Sequence, residues 1–342
     1  MLGMSMNGID HSKERNGAVS ENAAEPTWSS KQNAATIATL PLMRNADETY
    51  GDAQLSNESQ PGGMADCGIN GDRIPEQSFS FRYSRGDYHA EVSEIALPGF
   101  DAKREQQVVM LHGMVESPQI WREIADKIAP MFRTGFEVSM PWHCEQGYLW
   151  GLEAKPDEWL EPVLDALPPG RKVVVAHSFG ANALISILQR QARDDIDALI
   201  LLSPYYKPDF EIFTWDFFRR FVGEFEAFVA ASIRVRPGAE RITASSLAML
   251  VDKVKEKYGS YSWMEFYDLY ARTPSLKLGS LKMPVLIMGG DRDLSIIPDD
   301  LLALTKRIEN ARFELLNNCG HFGMVEQPDI LTAHIVAFLS NS

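Results

Sequence analysis

The stretch that most constrains the fold runs from Arg171 to Leu188, RKVVVAHSFGANALISIL. A short apolar run, Val173 to Val175, halts at Ala176. His177, Ser178, Phe179 and Gly180 follow, and a helix-period apolar pattern then takes over through Ala183, Leu184 and Leu188. The pattern predicts strand, sharp turn, helix. Ser178 stands at the apex of the turn with small residues two places to either side, Ala176 and Gly180. Small side chains let strand and helix cross closely, where anything larger would meet the neighbouring backbone. A serine held there projects its hydroxyl above a sheet, and the new helix aims its first N–H groups at the same spot. That combination suits a nucleophile beside an anion site.

The chain around this stretch alternates between the two periods. Ser78 to Tyr83 and His89 to Ile95 alternate as strands, and Arg85-Gly86-Asp87 supplies the turn of a hairpin. Val108 to Leu111 is a buried-strand run that ends in His112-Gly113-Met114. A helical stripe follows through Ile120, Trp121, Ile124, Ile128 and Phe132. Phe136 to Met140 reads as a strand, Asp157 to Ala166 as a helix, and Ala198 to Leu202 as a further strand. Such alternation predicts an α/β fold with a mostly parallel central sheet flanked by helices.

Over residues 205–279 the pattern changes. No strand signal is evident, and Phe217, Phe218, Phe221, Phe225 and Phe228 recur at helical spacing; further helices are predicted over Ser245 to Tyr258 and Trp263 to Ala271. Strand character resumes at Met283 to Gly290 and is followed by Asp291-Arg292-Asp293. The last strand, Arg312 to Leu316, runs into NNCGHFGMVEQP, which contains His321.

Together these segments resemble the α/β-hydrolase superfamily over residues 77 to 342. The turn at Ser178 resembles its nucleophile elbow, G-x-S-x-G, with Ala176 in place of the first glycine. The H-G-x turn at His112 implies an oxyanion hole built from the backbone N–H groups of Met114 and Phe179, with His112 bracing the loop. The pattern P-V-L-I-x-x-G-x-x-D implies Asp293 as the acid, with Asp291 the alternative, and the G-H followed by E-x-P implies His321 as the base. The proline that usually lies four residues after the acid is Pro298 here, five after Asp293. After the strand ending at Met140 the chain reads PWHCEQGYLWG, where relatives often carry an aspartate and several glycines; His143 and Cys144 are read as loop residues beside the pocket.

The resemblance implies a core over 76–204 and 280–342, with a helical cap inserted over 205–279 whose aromatics either line an apolar pocket or join the cap to the core. It also implies ester or thioester hydrolysis of a small-molecule substrate through Ser178, His321 and Asp293. C–C bond hydrolysis and acyl transfer use the same three residues and stay open, as does a non-catalytic binder.

Composition narrows the classes further. With 33 Lys and Arg against 47 Asp and Glu, the chain carries a formal charge of −14, which argues against the clustered cations of a nucleic-acid surface. Three scattered cysteines in no zinc-like spacing point to a reduced, metal-free protein. No nucleotide, flavin or other cofactor motif is visible. No run is apolar enough for a signal peptide or a membrane span, so a cytoplasmic location is expected. Residues 1–75 are polar and aperiodic and are expected to be disordered. Oligomeric state cannot be read from the residues.

Overall fold

A strand buried on both faces leaves no polar position within its run. In the computed structural model, strands form at the apolar runs for that reason. The structure describes residues 79–342 other than Cys144, Pro237 and Ser342, so the extension expected to be disordered over 1–75 lies outside the described residues.

Among the described residues the strands are β1 (Ser80–Arg85), β2 (Tyr88–Glu94), β3 (Gln107–Leu111), β4 (Thr134–Ser139), β5 (Lys172–His177), β6 (Ile196–Leu202), β7 (Val285–Gly290) and β8 (Ala311–Leu316). They form one eight-stranded sheet in the order β1-β2-β4-β3-β5-β6-β7-β8. From β4 to β8 every neighbouring pair is parallel. The hairpin strands β1 and β2 are antiparallel, and β2 joins β4 in the same sense.

The helices are α1 (Arg122–Ile128), α2 (Trp150–Glu153), α3 (Pro156–Ala166), α4 (Ser178–Leu188), α5 (Trp215–Arg234), α6 (Ala244–Ala271), α7 (Pro298–Thr305), α8 (Gly323–Glu326) and α9 (Pro328–Leu339). Successive strand residues point to opposite faces of a sheet. On β5, Val174 and Ala176 therefore join Trp159 and Leu160 of α3, Leu184 of α4 and Leu301 of α7. Val173 and Val175 point the other way, toward Ile124 of α1 and Leu331 and Ile335 of α9. Each such fully buried aliphatic side chain contributes about 1.5–3 kcal/mol. The centre of the sheet is thus a doubly covered platform, and β5 carries Ser178 at its end.

Between β6 and β7 the described elements are helical. The two helices expected over Ser245 to Tyr258 and Trp263 to Ala271 form the single stretch α6, bent at Gly259, whose φ is 57° and ψ is 177°. A Cβ at Gly259 would sit 2.1 Å from the Tyr148 ring, so both the backbone angle and the packing require glycine. The bend divides α6 into two helical segments, which correspond to the two helices expected from the sequence.

Candidate active site

Ser178 adopts a φ of 50°, in the left-handed region that residues with a Cβ rarely occupy, at the junction of β5 and α4. The neighbouring glycine shows how close the crossing is. A Cβ on Gly180 would lie 2.3 Å from the His112 carbonyl oxygen. Only glycine lets α4 pack this closely on the loop after β3, which brings Ser178 beside His112-Gly113-Met114.

Three residues from separate parts of the chain then meet. His321 Nε2 lies 3.0 Å from Ser178 Oγ, and His321 Nδ1 lies 2.6 Å from Asp293 Oδ2. An ionised carboxylate only accepts, so Nδ1–H donates to Asp293 and Nε2 is left to accept from the serine hydroxyl. The other carboxylate oxygen of Asp293 accepts the N–H groups of Ser295, at 2.8 Å, and Ile296, at 3.2 Å. Asp291, the alternative acid, instead accepts the Cys319 N–H at 3.2 Å. Burial pushes the His321 imidazole down, but the charge and hydrogen bond of Asp293, with the charges of Glu116 and Glu326, outweigh it and raise the pKa above the ordinary value.

Of the two residues expected to stabilise an anion, one follows Ser178 directly and the other lines the cavity. Phe179 is in the first turn of α4, where helical N–H groups have no acceptor within the helix. Met114 borders the cavity above Ser178. His112 holds their loop: its Nδ1–H donates to the Gly113 carbonyl at 2.7 Å, and its Nε2 accepts the Met140 N–H at 3.0 Å. Burial pushes the His112 pKa down to about 4, so the ring is neutral at neutral pH. His143 lies outside the cavity lining, with its ring 5.8 Å from that of His112, and Cys144 lies outside the described residues.

Sequence reasoning missed three contributors. Glu116 is 4% exposed; its Oε2 accepts the Gly113 N–H at 2.7 Å, and its Oε1 lies 2.8 Å from His177 Nδ1. His177 Nε2–H in turn donates to the His321 carbonyl at 3.0 Å. Burial alone would raise the Glu116 carboxyl, but His177, the Gly113 N–H and His112 more than offset this and hold it below the usual range.

Tyr205 is the third. Its hydroxyl interacts with those of Ser178 and Ser295, and burial together with the Asp293 charge pushes the phenol above its ordinary pKa, leaving a neutral group beside the serine. Asn182 of α4 clamps the Tyr205 backbone, donating to its carbonyl at 2.7 Å and accepting its N–H at 2.8 Å. A glutamate three residues after Gly113 was the only available sign of the first pair. Nothing in the sequence marked Tyr205.

A cavity of about 640 Å³ opens from Ser178 and His321. Phe221, Phe225 and Phe228 of α5, with Trp263 and Phe266 of α6, line it. Phe217 and Phe218 do not; they pack on Tyr270 and Tyr267, with ring centroids 5.9 Å and 4.7 Å apart. Three of the five phenylalanines therefore line the cavity, and the other two pack α5 on α6 within the same helical region. Among the described residues no helix is long and apolar enough to cross a membrane.

Residues 108–334 match the sequence profile of the alpha/beta hydrolase family. No curated protein matches the chain by sequence. Among solved structures, the carboxylesterase CesB of Bacillus subtilis superposes with a TM-score of 0.51 at 16% identity, over 78% of this chain and 93% of that one. The naproxen esterase of Bacillus subtilis gives 0.53 at 18% identity, over 78% and 92%. The enol-lactonase of Burkholderia xenovorans LB400 gives 0.54 at 16% identity, over 76% and 99%. At these identities the likeness is one of fold.

Proposed function

The chain belongs to the alpha/beta hydrolase family, and on that premise we propose that it is a serine hydrolase cleaving an ester or thioester of a small to medium apolar acyl or aryl substrate. The observation that carries this reading is the 3.0 Å approach of His321 Nε2 to Ser178 Oγ, with Asp293 2.6 Å behind the same ring.

A serine hydroxyl is almost wholly protonated near neutral pH, so it attacks a carbonyl usefully only when a base removes its proton. His321 takes that proton and later returns it to the leaving group. Asp293 holds the tautomer that leaves Nε2 free and stabilises the imidazolium that forms. The N–H groups of Met114 and Phe179 receive the oxyanion of the tetrahedral intermediate, each worth on the order of 3 kcal/mol of barrier. Collapse releases the alcohol or thiol and leaves an acyl group on Ser178, which water removes by the same steps in reverse order.

In this reading residues 76–204 and 280–342 form the catalytic core, and 205–279 a helical cap that shapes the acyl pocket. The aromatic lining of α5 and α6 supports an apolar acyl or aryl group. The test is hydrolysis of p-nitrophenyl esters over a series of acyl lengths, with Ser178→Ala beside the wild type. Turnover that depends on length and vanishes in the variant supports the reading; turnover that persists in the variant removes it.

A further inference from the structure

The cavity lining is aromatic at Ser178, and it also includes three cations, Arg236, Lys253 and Lys257. Lys253 and Lys257 share one face of α6 with the cavity-lining Leu250 and Val254, the spacing that places side chains on a single helical stripe. Arg236 lies just beyond the end of α5. All three side chains are exposed.

Among the described residues none of the three forms an ion pair with a carboxylate. The single polar contact is Lys257 Nζ to the Glu145 carbonyl oxygen at 3.4 Å. Lys255, between them on the outward face of the same helix, is paired with Glu226 and Asp252. In a chain whose acids outnumber its cations 47 to 33, Lys255 finds carboxylates and the two cavity-bordering lysines do not. Glu116 and Glu224 are the acids of the lining, so its three cations outnumber them.

The Phe228 ring lies 5.0 Å from that of His321, and Arg236 is eight residues further along the same run. At 1.5 Å per residue this is about 12 Å. Lys253 and Lys257 lie nearer, because Lys255 between them pairs with Glu226, two residues before Phe228. We propose that the cavity is built for a substrate whose apolar chain carries an anionic group, a carboxylate or comparable anion, held among these three cations, of which Arg236 marks the outer limit. The proposal deepens the ester-hydrolase reading and rests on it for which end of the substrate is cleaved.

Binding separates the two claims. Full-length Ser178→Ala protein is titrated by calorimetry with monomethyl decanedioate and with dimethyl decanedioate, which match in length and differ in one charge. At low salt the monoanion is expected to bind about five- to tenfold more tightly, the range that a few partly solvated ion pairs supply. At 1 M salt, where screening acts over about 3 Å, the advantage shrinks. Adding Arg236→Gln, Lys253→Gln and Lys257→Gln removes it, and Arg236→Glu with Lys253→Glu inverts it. Equal affinity for the two esters, or an advantage that survives the three glutamines, overturns the proposal. Should Ser178→Ala discriminate the esters while the wild type cleaves neither, the anion site stands and the ester-hydrolase reading fails.

Discussion

Glu116 Oε1 lies 2.8 Å from His177 Nδ1, and the pair joins the loop after β3 to the loop that carries His321. The Glu116 charge is one of those that raise the His321 pKa. A base with a raised pKa is neutral, and therefore active, only at higher pH. The acidic limb of kcat/KM should accordingly fall above pH 6.5, and Glu116→Gln, which keeps the shape and removes the charge, should move it down. A pH profile of both proteins checks this, and a limb unmoved by the substitution would show that Glu116 does not tune the base.

Asp293 and Asp291 differ in what they face, and kinetics can read that difference. Asp293→Asn should lower kcat on the order of 10³- to 10⁴-fold, because the amide favours the wrong imidazole tautomer. Asp291→Asn disturbs only a loop hydrogen bond to Cys319 and should cost less than about tenfold. Equal losses would contradict the assignment of the acid.

Gly259 is the only residue inside α6 with non-helical angles, and it lies against Tyr148. Gly259→Ala should destabilise the protein by at least about 1–2 kcal/mol, the cost of the left-handed backbone alone, before the clash with the ring is counted. Denaturant unfolding measures it; an unchanged midpoint would mean that the bend does not need glycine.

His112 gives stability a pH dependence of known sign. Its folded pKa is about 4 against an ordinary 6.5, so between those values the unfolded chain binds the proton and the folded one does not. Its contribution, about 3 kcal/mol in full, is present above pH 6.5 and is lost as the pH falls toward 4. His321, whose pKa is raised, acts in the opposite sense above 6.5, whereas His89 and His143, which burial also lowers, act in the same sense as His112, so its share is read from the difference between wild type and His112→Gln. The unfolding free energy should drop between pH 6.5 and 4, with a shallower slope in His112→Gln.

The strand runs were legible because a doubly buried strand writes an uninterrupted apolar segment, as Val173 to Val175 and Ala198 to Leu202 do. Hairpin ends were read less accurately. The expected Ser78 to Tyr83 and His89 to Ile95 became Ser80–Arg85 and Tyr88–Glu94, because Gly86, at a φ of 54°, makes a tight turn that lets Arg85 pair directly with Tyr88. Local motifs also brought Ser178, Asp293 and His321 into view. Glu116, His177 and Tyr205 escaped because burial and mutual contact are tertiary properties, and each residue alone reads as an ordinary loop or turn position. The division of the α5 phenylalanines was hidden for the same reason: helical spacing shows that they share a stripe, and only packing shows which of them face the cavity.

The central claim is that Ser178 is a nucleophile activated by His321. It is tested most directly by treating the protein with a fluorophosphonate and mapping the adduct by peptide mass spectrometry. The account predicts one adduct per chain, on Ser178, forming at a rate that falls sharply in His321→Ala. An unlabelled Ser178 in folded protein, or labelling that proceeds equally without His321, would contradict it.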